Sequence, residues 1–321
     1  MRSAKWTYVV AALISAGTGG SAYAQRAGEN ALESAEDAFG TTVGGETIGL
    51  YSASSARGFS PVRAGNLRLE GLFFDARGGG GGNVKLSNRL VGQNTIRVGL
   101  SAQSYPFPAP TGIADFTLRI PGDKSALSTV FRGAYPEAVA FELDAQTPVT
   151  DSFSLGGGFS MDRAMSDWAV TNYNLDVAVI GRWKLTDTFQ VMPFYSRQRQ
   201  FGNEWGPFIF SAGATLPVKF DRSKSLTQRW SDFDNDDANF GSITRGSWNN
   251  WNLSAGVFRS ISWRRGGEST QIHWRNVQPN GDADLYSVTL AAQANPNEST
   301  SGEARLSRVF VDGDRRHTFY F

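Results

Sequence analysis

Cysteine is absent from the 321-residue chain, and histidine occurs only at His273 and His317. Without cysteine, thiol catalysis, cysteine-ligated metals and disulfide bonds are excluded. The two histidines do not have zinc-binding spacing, and the G-x-S-x-G element of serine hydrolases does not occur. The sequence therefore predicts a protein that is not an enzyme and that holds no metal and no cofactor. His273 is expected on the polar, lumen-facing side of a strand.

Charged residues make up only 19% of the chain, and the formal net charge is +1. Neither a basic patch nor an RNA-binding aromatic motif occurs, so nucleic acid is not an expected partner. Acidic residues concentrate at 232–237, in a pattern resembling the start of a calcium loop. Such a loop needs glycine at its sixth position and glutamate at its twelfth, but Asp237 and Ile243 occupy them. We therefore expect a solvated acidic loop.

Long apolar runs are also lacking. After residue 24 the chain has no run of about 20 apolar residues, the length of a membrane-spanning helix, and its mean hydropathy is −0.31. Glycine is abundant, with 36 residues, and aromatic residues account for 12% of the chain. This composition favours many short alternating strands over a helical bundle.

The first 24 residues have the three parts of an export signal. Arg2 and Lys5 precede the apolar stretch 6–14, and the small-residue site 22–24 (Ala-Tyr-Ala) follows. A membrane anchor is the alternative, but the apolar stretch is too short to cross about 30 Å of hydrocarbon. We expect cleavage after residue 24, so that the mature chain begins at Gln25.

The next hundred residues are polar and then rich in glycine. Residues 25–40 predict a flexible periplasmic N-terminus with one helical turn at 31–39. Short β-prone pieces separated by glycine fill residues 41–125. The five glycines at 78–82 predict a flexible loop, because the following residues 83–84 (Asn-Val) are not the Lys-Ser/Thr of a phosphate-binding loop.

After residue 125 the polarity alternates with a period of two. In the stretch 152–161 phenylalanine, leucine and methionine point one way, and serine points the other. A soluble β-sandwich also alternates, but its strands are usually about five or six residues long, whereas strands of about ten residues suit a membrane barrel. Aromatic residues near strand ends would form an interfacial girdle. These are Trp168, Trp183, Tyr195, Trp263 and Trp274.

The connections between these strands differ in length. Residues 147–151 and 185–187 form short turns, whereas 199–247 form a long insertion rich in Trp, Asp, Asn and Gly. Short turns on one side and long loops on the other are typical of an outer-membrane barrel.

Residues 57–72 carry a specific likeness. Arg57-Gly58-Phe59-Ser60-Pro61 and the strand that ends in Glu70-Gly71 resemble the plug core of TonB-dependent outer-membrane receptors. Residues 37–40 and 105–112 also resemble segments of this family, so the likeness extends over 36–321. The plug motif consists of Arg57, Gly58, Phe59, Asn66, Arg68, Glu70 and Gly71.

The resemblance implies a mainly β fold. A small mixed α/β plug domain at 41–125 would precede an antiparallel transmembrane β-barrel at 126–321, set in outer-membrane lipid. It also implies energised uptake across the cell outer membrane, with the TonB-ExbB-ExbD complex and a small-molecule ligand such as a ferric siderophore as partners. A TonB box, which the energising partner pairs with as a strand, is not evident in 25–40, so energised transport follows from the resemblance alone.

Ligand contacts are expected at the plug apex and in the long insertion. The candidates are Tyr105, Phe107, Trp205, Trp230 and Trp248. Alternatively, the aromatic residues fold the insertion on itself, and Arg57, Arg68 and Glu70 hold the plug together without touching a ligand.

The length of the chain leaves two interpretations open. A receptor barrel of this family has 22 strands, whereas 126–321 hold about nine or ten strands of membrane-spanning length, so we expect a fragment of a longer barrel. The terminal alternation at 317–321, which ends in Phe321, instead resembles the end of a complete, smaller barrel. In function, the alternative is an exported β-protein without transport activity, either a small structural barrel or a surface adhesin.

Overall fold

The computed structural model describes most of the chain after residue 40. The described residues are 41–43, 46–48, 51–53, 55–56, 58, 60–76, 85–98, 102, 105, 112–134, 137–166, 170–203, 208–211, 219, 221, 224, 232–266, 269–290, 294–313 and 315–321. The predicted export signal, the polar N-terminus with its helical turn at 31–39, and the glycine run at 78–82 lie outside them.

Eighteen strands form three sheets in the described part. The first sheet contains β1 (Thr41–Val43), β2 (Glu46–Ile48), β3 (Leu67–Leu69), β4 (Leu72–Phe73), β5 (Val91–Arg97) and β6 (Ile113–Leu118). The large sheet contains β7 (Ala126–Ala134), β8 (Glu137–Pro148), β9 (Phe153–Ser166), β10 (Val170–Thr186), β11 (Phe189–Asn203), β13 (Asp232–Trp248), β14 (Trp251–Gly266), β17 (Asn297–Asp312) and β18 (Arg315–Tyr320). The third sheet contains β12 (Phe208–Ser211), β15 (Ser269–Val277) and β16 (Asp284–Leu290).

The described residues contain no helix, and so none that could cross a membrane. The mainly β prediction is confirmed. In the described part of 41–125, the sheet is built of short strands that glycine separates.

The first sheet has the strand order β2-β1-β5-β6-β3-β4. Its apolar side chains are deeply buried, with Leu69 and Leu72 at 0% exposure. Between them, Glu70 and Gly71 have φ values of 55° and 79°, as a two-residue hairpin turn of type I′ requires. Gly71 adopts this conformation at little cost, whereas Glu70 is held there by its contacts.

The large sheet is antiparallel throughout, in the order β18-β17-β14-β13-β11-β10-β9-β8-β7. Strands β7 and β18 form its edges, so the sheet does not close on itself within the described residues. At one end the turns are tight, as at Asn249 and Asn250 between β13 and β14. The long connections 204–231 and 267–296 both leave from the opposite end.

The predicted insertion at 199–247 is shorter than expected. Strand β11 continues to Asn203 and β13 begins at Asp232, with Arg199 paired to Asp236 in the ladder. The acidic stretch 232–237 is therefore part of a strand and not a solvated loop. Carboxylates on β13 face arginines on β11, and this charge pairing keeps an acidic segment in the ladder.

Polarity across the large sheet is the reverse of that in a soluble protein. The apolar outer face is open, with Phe131, Val139 and Val257 at 79%, 59% and 58% exposure. On the inner face, Glu142 and Asp144 are 3% and 2% exposed, because the first sheet covers that face. The shared apolar core contains residues of both sheets. The rings of Phe74 and Phe258 meet edge to face at 5.6 Å, and the side chain of Leu72 packs on Gly256, where a Cβ atom would lie 2.9 Å from it.

The third sheet joins the two long connections. Strand β12 pairs in parallel with β15, which pairs with β16 in antiparallel fashion. His273 lies here, with ring centroids of Phe208, Phe210 and Tyr286 at 5.0, 5.9 and 5.7 Å. The predictions that His273 faces a lumen and that Trp274 lies in a girdle are therefore wrong. The residues of β15 and β16 alternate in polarity as those of a membrane-spanning strand do. However, β15 pairs with β12 of the other long connection and not with a strand of the large sheet.

Single cysteines can test the outer face, because the natural chain has none. Val139, Val257 and the turn residue Val149 are 59%, 58% and 57% exposed. In a bilayer, spin labels at Val139→Cys and Val257→Cys should collide with dissolved oxygen far more often than with a water-soluble nickel complex, since apolar strand faces of barrels lie in lipid. The label at Val149→Cys should show the opposite preference. Equal nickel accessibility at all three positions would contradict a lipid-facing sheet.

Candidate functional site: the interface between the small sheet and the inner wall

The first sheet, from here on called the small sheet, packs on the inner face of the large sheet, from here on called the wall. Glu303 on the inner face of β17 forms the first polar junction between them. Arg68 of β3 places Nη1 2.9 Å from Glu303 Oε2, and the Phe73 backbone N–H donates to the same oxygen at 2.8 Å. From β17, Arg305 donates to Glu303 at 2.6 Å and to the Gly71 carbonyl at 3.1 Å. One wall carboxylate thereby fixes both strands of the β3–β4 hairpin.

Glu70 forms the second junction. Its carboxylate pairs with Arg245 of β13 and accepts the Leu118 backbone N–H at 2.6 Å. Burial raises the pKa of the Glu70 carboxyl, and the Arg245 guanidinium opposes that rise. This side chain thus connects the turn at the end of β3 to both β6 and the wall. The contact explains why a residue other than glycine holds a positive φ there.

Asp115 of β6 completes the group around the plug motif. Its Oδ1 accepts the Gly71 N–H and its Oδ2 accepts the Tyr105 hydroxyl, each at 2.9 Å. Burial raises the pKa of the Asp115 carboxyl, and these two hydrogen bonds oppose the rise. The Tyr105 hydroxyl, a predicted ligand contact, is therefore engaged inside the small sheet.

Arg89 forms the third junction and is the most buried of the three. Its side chain is 5% exposed, and Nη1 lies 2.7 Å from Glu142 and 2.8 Å from Asp144 of β8. Arg132 of β7 also pairs with Glu142. A side chain at Gly158 would collide with both Asp144 and Arg89, so this position on β9 permits the close approach. No short-range pattern in the sequence marks Arg89, although buried carboxylates on an alternating strand require a cation.

A polar cavity of about 320 Å³ lies beside Arg89. Lys85, Asn88 and Arg89 line it from the small sheet, and Asp162, Asp176 and Gln198 are among the residues that line it from the wall. These wall residues lie in the halves of β9, β10 and β11 nearer the end of the sheet from which the long connections leave. The cavity offers cations, carboxylates and amides together, which suits a polar solute. The described residues contain no group of three or more His, Cys, Asp or Glu side chains that could hold a metal ion.

The remaining predicted residues are distributed as follows. Gly58 has a φ of 80° in a turn, and the backbone of Asn66 accepts the Ala114 N–H at 3.1 Å, so both shape the small sheet. Trp248 is corrected: it lies beside the Asn249–Asn250 turn and pairs with Trp251, at the end of β13 opposite the long connection. Arg57, Phe59, Phe107, Trp205 and Trp230 lie outside the described residues.

This arrangement, a small sheet held by ion pairs against the inner face of a large antiparallel sheet, is the fold of TonB-dependent receptors. Among solved structures, the chain is similar to the ferripyoverdine receptor of Pseudomonas aeruginosa (TM-score 0.63, 13% identity, 80% of this chain and 35% of that one). It is also similar to Fiu, the ferric-catecholate import receptor of E. coli (TM-score 0.63, 15% identity, 80% of this chain and 41% of that one). A third similar structure is BauA, the ferric preacinetobactin receptor of Acinetobacter baumannii (TM-score 0.60, 12% identity, 80% and 38%).

At these identities the likeness concerns the fold. The chain spans 35–41% of the length of these receptors. No family model matches the sequence, and no curated protein matches it.

The Arg89 junction predicts a large loss of stability on mutation. Arg89→Met leaves two buried carboxylates with less compensation, and the free energy of unfolding should fall by about 3–5 kcal/mol. Urea unfolding in detergent measures the change. Arg163→Met is the matched control, because Arg163 forms an exposed pair with Glu137, with side chains 40% and 55% exposed, and such pairs contribute about 0–1 kcal/mol.

Adding Glu142→Gln and Asp144→Asn to Arg89→Met should restore much of that stability, because the uncompensated charges are then gone. Equal losses in Arg89→Met and Arg163→Met would contradict the assigned role of Arg89.

Asp115 predicts a pH dependence. Its pKa is raised in the folded protein. Its contribution to stability is therefore largest below the ordinary carboxyl pKa of about 4, and it declines as the pH rises through the raised value. Asn at position 115 keeps an acceptor for the Gly71 N–H and does not ionise. The free energy of unfolding of the wild type relative to Asp115→Asn should therefore fall as the pH rises above about 4. Asp151→Asn, in an exposed turn, is the control substitution, and a gain by the wild type relative to Asp115→Asn as the pH rises would contradict the assignment.

Proposed function

We propose that the chain is the plug and the adjoining wall of an outer-membrane receptor that takes up a polar solute with energy from TonB-ExbB-ExbD. The observation that carries the proposal is the polar cavity between the small sheet and the wall, bounded by Arg89 and Lys85. The receptors with this fold named above bind or import ferric chelates. A ferric siderophore is therefore the ligand class we propose.

The cavity is lined by charges of both signs, which support a polar ligand. Four basic residues, among them Lys85, Arg89 and Arg132, are balanced by four acidic ones, and Gln198 and Asn88 add amide groups that can donate or accept. Arg89 is engaged by Glu142 and Asp144, so Lys85 is the cation we propose to contact the ligand. A ligand seated there would touch both the small sheet and the wall, and any movement of the small sheet would change its affinity.

Binding of a ferric chelate tests the proposal directly. The probes are ferripyoverdine, a ferric catecholate and ferric preacinetobactin, each compared with its iron-free form by titration calorimetry on the detergent-solubilised protein. We expect one of them to bind, and Lys85→Gln to weaken it about tenfold, which corresponds to about 1.4 kcal/mol. Lys124→Gln removes the same charge at an exposed site away from the cavity and should leave the affinity unchanged.

Two results would overturn the proposal. One is the absence of binding by every ferric probe to a protein that is folded and membrane-inserted, as expected for a structural barrel or an adhesin. The other is iron uptake by the expressing cells that is equal with and without a functional TonB, which would identify a passive barrel.

A further inference from the structure

Three arginines project from the outer face of the large sheet near the long connections. They are Arg197 and Arg199 on β11 and Arg265 on β14. The alternation of β11 fixes this direction, because Phe194 and Ser196 on the other face are buried at 5% and 1% exposure. We call Arg197, Arg199 and Arg265, with Asp234 and Asp236 of β13, the outer arginine cluster.

Ion pairs hold the cluster in a defined geometry. Arg197 binds Asp236 through two bonds of 2.8 and 2.6 Å, and Arg199 binds Asp234 through two bonds of the same lengths. Arg265 Nε lies 2.8 Å from Asp236. Three cations therefore share two carboxylates, which leaves an excess of one positive charge.

The arginines are only partly used by these pairs. A guanidinium carries five N–H donors, and the bonds to the carboxylates engage two each on Arg197 and Arg199. The three side chains are 40%, 44% and 44% exposed. Each side chain is therefore partly open, and an acceptor on the outer side can reach the cluster.

Aromatic rings place the cluster at the boundary of the apolar face. The guanidinium of Arg265 lies 4.8 Å from the centre of the Trp263 ring, and that of Arg199 lies 5.1 Å from that of Phe201. Toward the tight turns, the outer face continues with exposed Phe240 and Val257. Aromatic rings and snorkelling cations next to an apolar band mark the level of lipid headgroups.

We propose that the outer arginine cluster binds the phosphate of a phosphorylated glycolipid of the lipid A type in the outer leaflet. Long connections lie on the external side of outer-membrane barrels and tight turns on the periplasmic side, and the cluster is at the end with the long connections. Arginine is suited to phosphate because its planar fork donates two parallel bonds. The two aspartates orient the guanidinium groups in advance, and the excess charge matches an anion. The inference rests on the proposed outer-membrane location but not on the ligand of the cavity.

Native mass spectrometry of the wild-type protein in detergent provides the first test. The probes are bisphosphorylated lipid A, the same lipid after removal of both phosphates, and phosphatidylglycerol. We expect bound bisphosphorylated lipid A at least tenfold in excess over the dephosphorylated form. Equal binding of those two forms would overturn the proposal, and preferential binding of phosphatidylglycerol would assign the cluster to a general anionic lipid instead.

A triple variant tests the residues. Arg199→Gln with Asp234→Asn removes one ion pair, and Arg265→Gln removes the excess charge, while the pair of Arg197 with Asp236 is kept. We expect lipid A binding to fall about tenfold. Arg315→Gln, on β18 at the end with tight turns, has the same net charge change and should retain it.

Far-UV circular dichroism identifies any loss of fold. A folded triple variant that retains lipid A as well as the wild type does would overturn the proposal. Failure of every ferric probe to bind, with lipid A binding intact, would count against the proposed transport alone.

Discussion

The structure depends on the satisfaction of buried carboxylates on the inner wall by cations of the small sheet. Glu142 and Asp144 are almost fully removed from solvent, and Arg89 reaches both from a different sheet. A buried ion pair offsets the cost of desolvation only when its geometry is good and its other hydrogen bonds are made. Neither the wall nor the small sheet meets this condition alone, so their native structures depend on each other.

The same dependence determines how the interface responds to a displacement of the small sheet. The junctions at Arg89, Arg68 and Glu70 are made of directional polar bonds. When a displacement of the small sheet breaks one of these bonds, most of the interaction energy of that bond is lost at once. Apolar contacts, such as that of Phe74 with Phe258, weaken more gradually with distance. An interface built from a few charged junctions around a modest apolar core favours two discrete positions over a continuous slide.

Local patterns in the sequence predicted much of the large sheet but few of the side-chain contacts that the sheet makes. Alternation after residue 125 predicted long strands, because a period of two is a property of neighbouring residues. The role of Arg68 and Glu70 followed from a resemblance. Arg89 was missed, since its partners lie more than fifty residues away and no short-range signal marks them. His273 and Trp248 were misplaced for a related reason: alternation does not indicate which sheet a hairpin joins or at which end of a strand a side chain lies.

Arginine has a different role on each face of the large sheet. On the inner face, a guanidinium such as that of Arg89 is enclosed by protein. It must therefore be paired with carboxylates, and the loss of a partner destabilises the folded protein. On the outer face, Arg199 and Arg265 are anchored by carboxylates but remain partly open, so a further anion can bind without unfolding anything. Inspection of charge along the sequence cannot separate these cases, because both are arginines in alternating strands. The register of the sheet separates them, since it decides which side each side chain takes.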